Sequence, residues 1–173
     1  MKPWIKGLVV AAVQVSLVAS LGAKLLYDRA TRPRVWVLTV PYDPNLPIRG
    51  RYVRLQLVVE PRGIPAKPPG GRGVPRTAVT LMVEGDKLVA VANPRERPGE
   101  PAGLHVSLIG PGKRAVLNTP VAFFIPEHLP DPSRLKPGQE LWVEVTVPRA
   151  GPPRPIRLGL KQEDGPVVPL QTD

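Results

Sequence analysis

Cysteine is absent from this chain, which excludes a disulfide scaffold, a thiolate metal site and a cysteine nucleophile, and leaves the compartment open. Histidine is nearly absent: His105 and His128 are the only two. No HExxH sequence, no histidine pair at metal spacing and no cluster of carboxylates occurs, so a metal hydrolase has no support. The GxSxG elbow, the P-loop and the dinucleotide fingerprint are missing as well. Ser107 stands two residues from His105, but two neighbours on one strand face make no nucleophile–base pair without a third orienting group. A formal charge of +10 raises the question of nucleic acid. Yet there is no basic helix to enter a groove and no basic strand interleaved with aromatics. The sequence therefore predicts no catalytic residue, no cofactor, no metal and no nucleic-acid partner. Its charge reads as a solvated basic surface.

Proline is what the chain has in excess, with 25 residues, and glycine adds 16. Proline removes a backbone donor and is excluded from helix interiors and central strands. So many prolines leave room only for short, punctuated elements, which favours β-structure. The hydrophobic share of 42% still allows a packed core.

One segment escapes this punctuation. After the basic start Met1-Lys2-Pro3-Trp4-Ile5-Lys6, the run from Gly7 to Ala23 carries no charge, and Leu25 and Leu26 extend it past Lys24. At about 1.5 Å per residue, Trp4 to Tyr27 crosses a hydrocarbon layer of about 30 Å. Trp4 and Tyr27 fall where interfacial aromatics belong, and Lys24 can snorkel outward. Residues 1–27 are thus expected to form a membrane anchor contacting the lipid bilayer, with 28–33 as a linker. Two alternatives remain open: a cleaved signal, since Val18-Ala19-Ser20 resembles a small-residue cleavage site, and a buried helix of a soluble protein. Gln14, Ser16 and Ser20 are candidate contacts for a partner helix. Lys2 and Lys6 precede the span while Lys24, Arg29, Arg32 and Arg34 follow it, so the positive-inside rule gives a mixed vote. With the N-terminus inside, the chain is a single-pass inner-membrane protein whose C-terminal domain, 34–173, lies on the periplasmic side.

That domain reads as strands. Arg34 to Val40 has β-branched and aromatic composition, and a proline-bounded turn follows at 41–45. From Gly50 to Glu60 the alternation is the clearest in the chain: Val53, Leu55, Leu57 and Val59 point one way, Arg54 and Gln56 the other. Pro61 to Arg76 is expected to be a flexible Pro/Gly-rich loop. Thr77–Val83 and Lys87–Ala92 flank Glu84-Gly85-Asp86 as a hairpin. Leu104–Ile109, Ala115–Leu117 and Val121–Ile125 follow, with one helical turn expected over 131–136. Glu140–Pro148 alternates again, predicting Leu141, Val143, Val145 and Val147 inward and Trp142, Glu144 and Thr146 outward. Ile156–Lys161 and Val167–Leu170 close the domain. About eight short strands with regular turn signals predict an all-β fold, a single sandwich or partly open barrel, preceded by one transmembrane helix.

Four stretches carry a resemblance to a known family. The anchor leads into Lys24 and Leu25-Leu26-Tyr27. Val35-Trp36-Val37-Leu38 precedes Pro41-Tyr42-Asp43-Pro44. Gly50-Arg51-Tyr52-Val53-Arg54-Leu55-Gln56-Leu57 matches a motif at Gly50, Tyr52 and Leu55. Phe124-Ile125-Pro126-Glu127 is followed at the expected distance by Leu141-Trp142-Val143-Glu144-Val145. In these the chain resembles the GDYXXLXY protein family of bacterial membrane-anchored proteins. Arg51 stands where the motif has Asp, and Leu57 where it has its final Tyr. The resemblance implies a membrane anchor, an exported β-domain and a multi-spanning membrane protein as partner; it brings no catalytic residues.

The interaction candidates are Arg51, Tyr52, Arg54, Glu127 and His128. Tyr52 lies on the face opposite Val53 and Leu55, and Pro126 ends a strand so that Glu127 and His128 stand at a rim. Glu127 is a candidate ion-pair partner for Arg51 or Arg54. The expected function is a non-enzymatic, envelope-facing accessory protein that meets a membrane protein. The alternative is a ligand-binding β-module whose pocket, rimmed by Tyr52, Glu127 and His128, takes a small molecule, lipid or glycan.

Overall fold

The computed structural model describes residues 3–42, 52–64, 76–93, 103–109, 114–126, 131–132, 134–149 and 151–171. The chain divides into two units, Met1–Arg32 and Pro33–Asp173.

The first unit is one helix, α1, Pro3–Thr31. Pro3 stands in the first turn, where a missing N–H is no loss. Its apolarity runs all round rather than along a stripe: Leu8, Val9, Val13, Leu17, Val18 and Leu21 are all exposed. A helix with that character requires apolar surroundings on every side. From Trp4 to Thr31 it is long and apolar enough to cross a membrane, and none of that length is buried, unlike the core helix of a soluble protein. Its serine and threonine hydroxyls are satisfied within the helix. Ser16 Oγ donates to the Ala12 carbonyl, Ser20 Oγ to that of Leu17 and Thr31 Oγ1 to that of Tyr27, each at 2.8 Å. These groups therefore need no outside partner in an apolar medium. The helix stops because Pro33 drives the residue before it out of the α region. Arg32 N–H still reaches the Asp28 carbonyl at 2.9 Å, and its Nε pairs with Asp28 Oδ1 at 3.2 Å. Residues 28–31, expected as linker, are thus the last turn of the helix.

The second unit contains ten strands among the described residues: β1 Arg34–Pro41, β2 Tyr52–Arg62, β3 Thr77–Glu84, β4 Lys87–Ala92, β5 Leu104–Ile109, β6 Arg114–Leu117, β7 Val121–Phe124, β8 Gln139–Thr146, β9 Arg154–Gln162 and β10 Val168–Pro169. Its organising element is β2, whose two halves belong to different sheets. Over Tyr52–Leu57 it lies between β1 and β7, with Thr39 opposite Leu57 and Phe124 opposite Tyr52. Over Val58–Arg62 it lies between β6 and β4, with Val116 opposite Val58 and Val89 opposite Glu60. The second set closes a five-strand barrel, β2-β4-β3-β5-β6 and back to β2, in which β2–β4 is the parallel pair. The first set continues as an antiparallel extension, β7-β2-β1-β8-β9-β10.

Sequence explains where each sheet changes course. Asn118-Thr119-Pro120 splits one antiparallel run into β6 and β7, because Pro120 has no N–H for the ladder. Gly85 turns the β3–β4 hairpin at φ 61°, a backbone angle open to glycine. Pro155 sits in β9 where the register against β8 slips between Glu144 and Val145, the bulge position at which a strand tolerates proline.

The alternation of β2 holds: Leu55 and Leu57 are fully buried, Val53 and Val59 nearly so, while Tyr52 and Arg54 are exposed. Leu117, Val106 and Ala90 fill the barrel side, and Val37, Val143, Val145 and Leu158 the extension side, of one continuous core. Each buried leucine contributes about 1.5–3 kcal/mol. Thr39 lies among them, its Oγ1 donating 2.8 Å to the Leu141 carbonyl. Across the outer face of β2, β3 and β4, Arg62 pairs bidentately with Glu84, and Lys87 with Glu60 at 2.6 Å. The hydrogen bond and charge of Glu60 hold Lys87 above its ordinary value. The contribution of the raised ammonium is accordingly intact at neutral pH and is lost as pH rises through its raised value.

Four sequence expectations change. The barrel is closed rather than partly open, because β4 runs parallel to β2 and completes the ring. Pro61 and Arg62 belong to β2, and the half-buried Ile64 packs on the core, so the expected loop 61–76 starts later; residues 65–75 lie outside the described residues. Over the described part of 131–136 the expected helical turn is reduced to one hydrogen-bonded turn, Arg134 N–H to the Asp131 carbonyl at 3.2 Å, with no helix.

The fourth concerns Glu144 and Thr146, expected outward to solvent but buried. Trp36, Glu144 and Arg157 stand side by side on β1, β8 and β9. Arg157 reaches over β8 to place its guanidinium carbon 5.3 Å from the Trp36 ring centre, and its Nε donates to Glu144 Oε2 at 2.8 Å. The carboxylate is roofed by its own partner. Next to it Lys161 stands 5.3 Å over Trp142, whose Nε1 donates to Glu140 Oε2 at 3.0 Å. Gly159 leaves the space this layer needs. A Cβ there would come within 2.7 Å of Val167 Cγ1 and 3.0 Å of Trp36 Cζ3.

Gly159→Ala should therefore destabilise by about 1–3 kcal/mol, lowering Tm by roughly 4–12 °C in calorimetry. Val167→Ala in that background should restore part of the loss. A melt unmoved by Gly159→Ala would contradict this packing.

Candidate docking face

The outer face of β1, β2 and β7 is built differently from the layer just described. Its side chains are set by the alternation that buries Val53 and Leu55: the intervening Tyr52 and Arg54 must point outward. Register then decides their neighbours. Phe124 is opposite Tyr52 and Ala122 opposite Arg54. On the other side Pro41 pairs with Leu55, and Tyr42 N–H donates to the Arg54 carbonyl at 3.3 Å, which puts Tyr42 beside Arg54.

Three aromatics and one guanidinium thus share one surface. Tyr52 is 51% exposed, Phe124 55% and Tyr42 42%. The Tyr52 and Phe124 rings meet edge to face, centres 5.4 Å apart at 65°, a favoured aromatic geometry. Each ring supports the other laterally while its outer face remains open to water. Ala122 is too small to cover them. Tyrosine, phenylalanine and arginine are the types enriched at protein interfaces, because they bring large contact area and a polar end at modest entropic cost.

Behind this face, on the inner side of the same strand ends, lies a pocket of about 390 Å³ reaching from Ile125 to Leu158 and Leu160 of β9. Ile125 follows Phe124 directly. Consecutive residues therefore serve opposite sides, Phe124 the exposed face and Ile125 the pocket wall.

Of the residues expected to form the site, Tyr52 and Arg54 share the outer face of β2, and Tyr52 does not line the pocket. Arg51, Glu127 and His128 lie outside the described residues, and with them the expected ion pair. Trp4, Lys24 and Tyr27 are all on α1, with Trp4 and Tyr27 exposed. Phe124 and Tyr42 are additions. Both occur in stretches that carry the family resemblance, but only strand pairing shows that they flank Tyr52 and Arg54. The described residues contain no group of three potential ligands placed to hold a metal ion. Ser107 Oγ donates to Asn118 Oδ1 at 2.9 Å, and His105 Nδ1 lies 3.0 Å from the Gly103 carbonyl, so these two side chains are engaged elsewhere than with each other.

No protein-family model, no curated protein and no solved structure matches the chain.

Because the aromatic pair is exposed, Tyr52→Ala and Phe124→Ala should each leave the domain folded, and a double-mutant cycle should return a coupling of about 0.5–1 kcal/mol. Leu55→Ala, on the opposite face of the same strand, should cost about 2–5 kcal/mol. Denaturant melts of the four variants and the parent test both statements.

Proposed function

We propose that this protein is a single-pass, membrane-anchored accessory protein whose β-domain docks onto a multi-spanning membrane protein through the Tyr42–Tyr52–Arg54–Phe124 face. The observation that carries the reading is that face: three large aromatics left about half exposed around an arginine, while the other aromatics among the described residues of the domain, Trp36, Phe123 and Trp142, are half-buried. An apolar surface of this kind on a folded domain marks an interaction site. The helix supplies the second support. A tether confines the domain to the neighbourhood of other membrane proteins, and the resulting effective concentration lets a small interface suffice. The third is the resemblance to the GDYXXLXY proteins, whose naming motif contains Tyr52 and Leu55. In this reading the anchor lies in the inner membrane, the domain faces the periplasm, and the role is non-enzymatic. Arg51, in place of the motif's Asp, makes the motif more basic in sequence and favours an acidic partner surface.

A photoreactive phenylalanine analogue at position 124 of the membrane-embedded full-length protein tests this. It should crosslink to one recurrent membrane protein, whereas the same analogue at Met82, equally exposed on β3, should not. Tyr52→Ala/Phe124→Ala should lower recovery of that partner by about tenfold or more, as loss of central aromatic contacts does. Adducts with lipid alone, or equal crosslinking from both positions, would overturn the proposal.

A further inference from the structure

The extension sheet poses a packing problem that the barrel solves only in part. Strands β1, β2, β7, β8 and β9 each bury apolar side chains on the inner face of this sheet, but the barrel adjoins only the end at β2. At the far end, Leu158 and Leu160 of β9 are covered by the described residues around 131–136 and by Leu170–Gln171 rather than by a second sheet. That cover leaves the pocket of about 390 Å³, within the range of small-molecule sites. Its walls are Ile125, Leu158, Leu160 and Leu170; its mouth carries Arg134 and Lys136, both exposed.

The mouth is held in place by local hydrogen bonds. Lys136 N–H donates to Gln139 Oε1 at 3.1 Å, and Gln139 N–H returns to the Lys136 carbonyl at 3.0 Å. Gly138, at φ 79°, makes the turn between them, and its carbonyl accepts from Glu163 N–H at 3.1 Å. The segment bearing the two cations is thus pinned to the first residue of β8 and to the turn after β9. Leu135, between them, is 37% exposed. Asp131 also lines the site and is already engaged in an interaction of its own. The arrangement is a leucine-walled recess with two cations and one carboxylate at its edge.

We propose that this pocket binds an acyl chain carrying an anionic head group, the chain against Leu158, Leu160 and Leu170, the head at Arg134 and Lys136. The chemistry is complementary on both counts: an apolar chain displaces water from leucine surface, and a carboxylate or phosphate meets the excess positive charge at the mouth. A neutral sugar or a cation would satisfy neither. This site is separate from the docking face and does not rest on it.

The test uses the full-length protein in phosphatidylcholine nanodiscs. Dodecanoate bearing a terminal diazirine is photolysed and its adducts are mapped by mass spectrometry. In a parallel arm the same diazirine sits on a chain of phosphatidylglycerol within the disc. Adducts on Leu135, Leu160 or Leu170 in either arm support the site; the first arm assigns a free fatty carboxylate, the second a bilayer lipid. Unlabelled dodecanoate should compete at least about tenfold better than dodecan-1-ol. Arg134→Glu/Lys136→Glu, two exposed residues whose replacement leaves the fold intact, should reduce labelling about tenfold. Gln139→Ala, which removes the bond to Lys136 N–H, provides a second variant, expected to weaken labelling while leaving the labelled positions unchanged. Adducts scattered outside the pocket, or labelling unchanged by the charge reversal, would overturn the proposal.

Discussion

The structure depends on one strand being hydrogen-bonded to four others. Because β2 is eleven residues long, it can pass β1 and β7 in its first half and β4 and β6 in its second. The barrel and the extension are then two sheets with a common member rather than two layers facing each other. A slip of one residue in β2 would turn its apolar side chains outward in both sheets together. Register in β2 is consequently specified twice over. The four side chains Val53, Leu55, Leu57 and Val59 carry that specification, and none of them can be traded for a polar residue without opening the core.

The same sharing fixes where function can reside. Within the barrel, inward side chains are consumed by the core, and the outer face of β2, β3 and β4 is laced with ion pairs of small energetic weight. On the extension, the faces have three fates. Over β1, β8 and β9 the outer face is closed by Trp36, Trp142, Arg157 and Lys161 with their carboxylate partners. Over β1, β2 and β7 it is open and aromatic. The inner face at β9 is incompletely covered and forms the pocket. The two unfinished surfaces are the ones to which we assign binding, and they meet at Phe124 and Ile125.

Much of this was legible in the sequence, for physical reasons that can be named. The run from Val53 to Val59 has period two and one buried face, so its strand character and its orientation could both be read. The β3–β4 hairpin was signalled by Glu84-Gly85-Asp86, and α1 by an apolar run long enough to cross a membrane. Closure of the barrel was not legible, because a parallel pairing between β2 and β4 leaves no local mark. The burial of Glu144 was hidden for a similar reason: alternation gives the face of a side chain, not what stands above it. Only the pairing of three strands brings Arg157 over that carboxylate. The docking face was half visible, with Tyr52 and Arg54 read from their own strand and Phe124 and Tyr42 supplied by neighbours. The pocket had no sequence signal, since its walls come from β9 and from segments before β8 and after β10.

The bond from Thr39 to the Leu141 carbonyl spans 102 residues. It lies where β1 joins β8, a pairing that sets Arg34 against Thr146. Contacts so distant along the chain form slowly, since a long loop must close before they give any return. Where the chain becomes free to fold from its N-terminal end first, β2 to β6 can complete their ring while β1 still lacks its second neighbour. The unpaired edge of β1 is a site for wrong strand pairing until β8 arrives. A chaperone that masks this edge would therefore act in a defined interval, between the arrival of β6 and the arrival of β8.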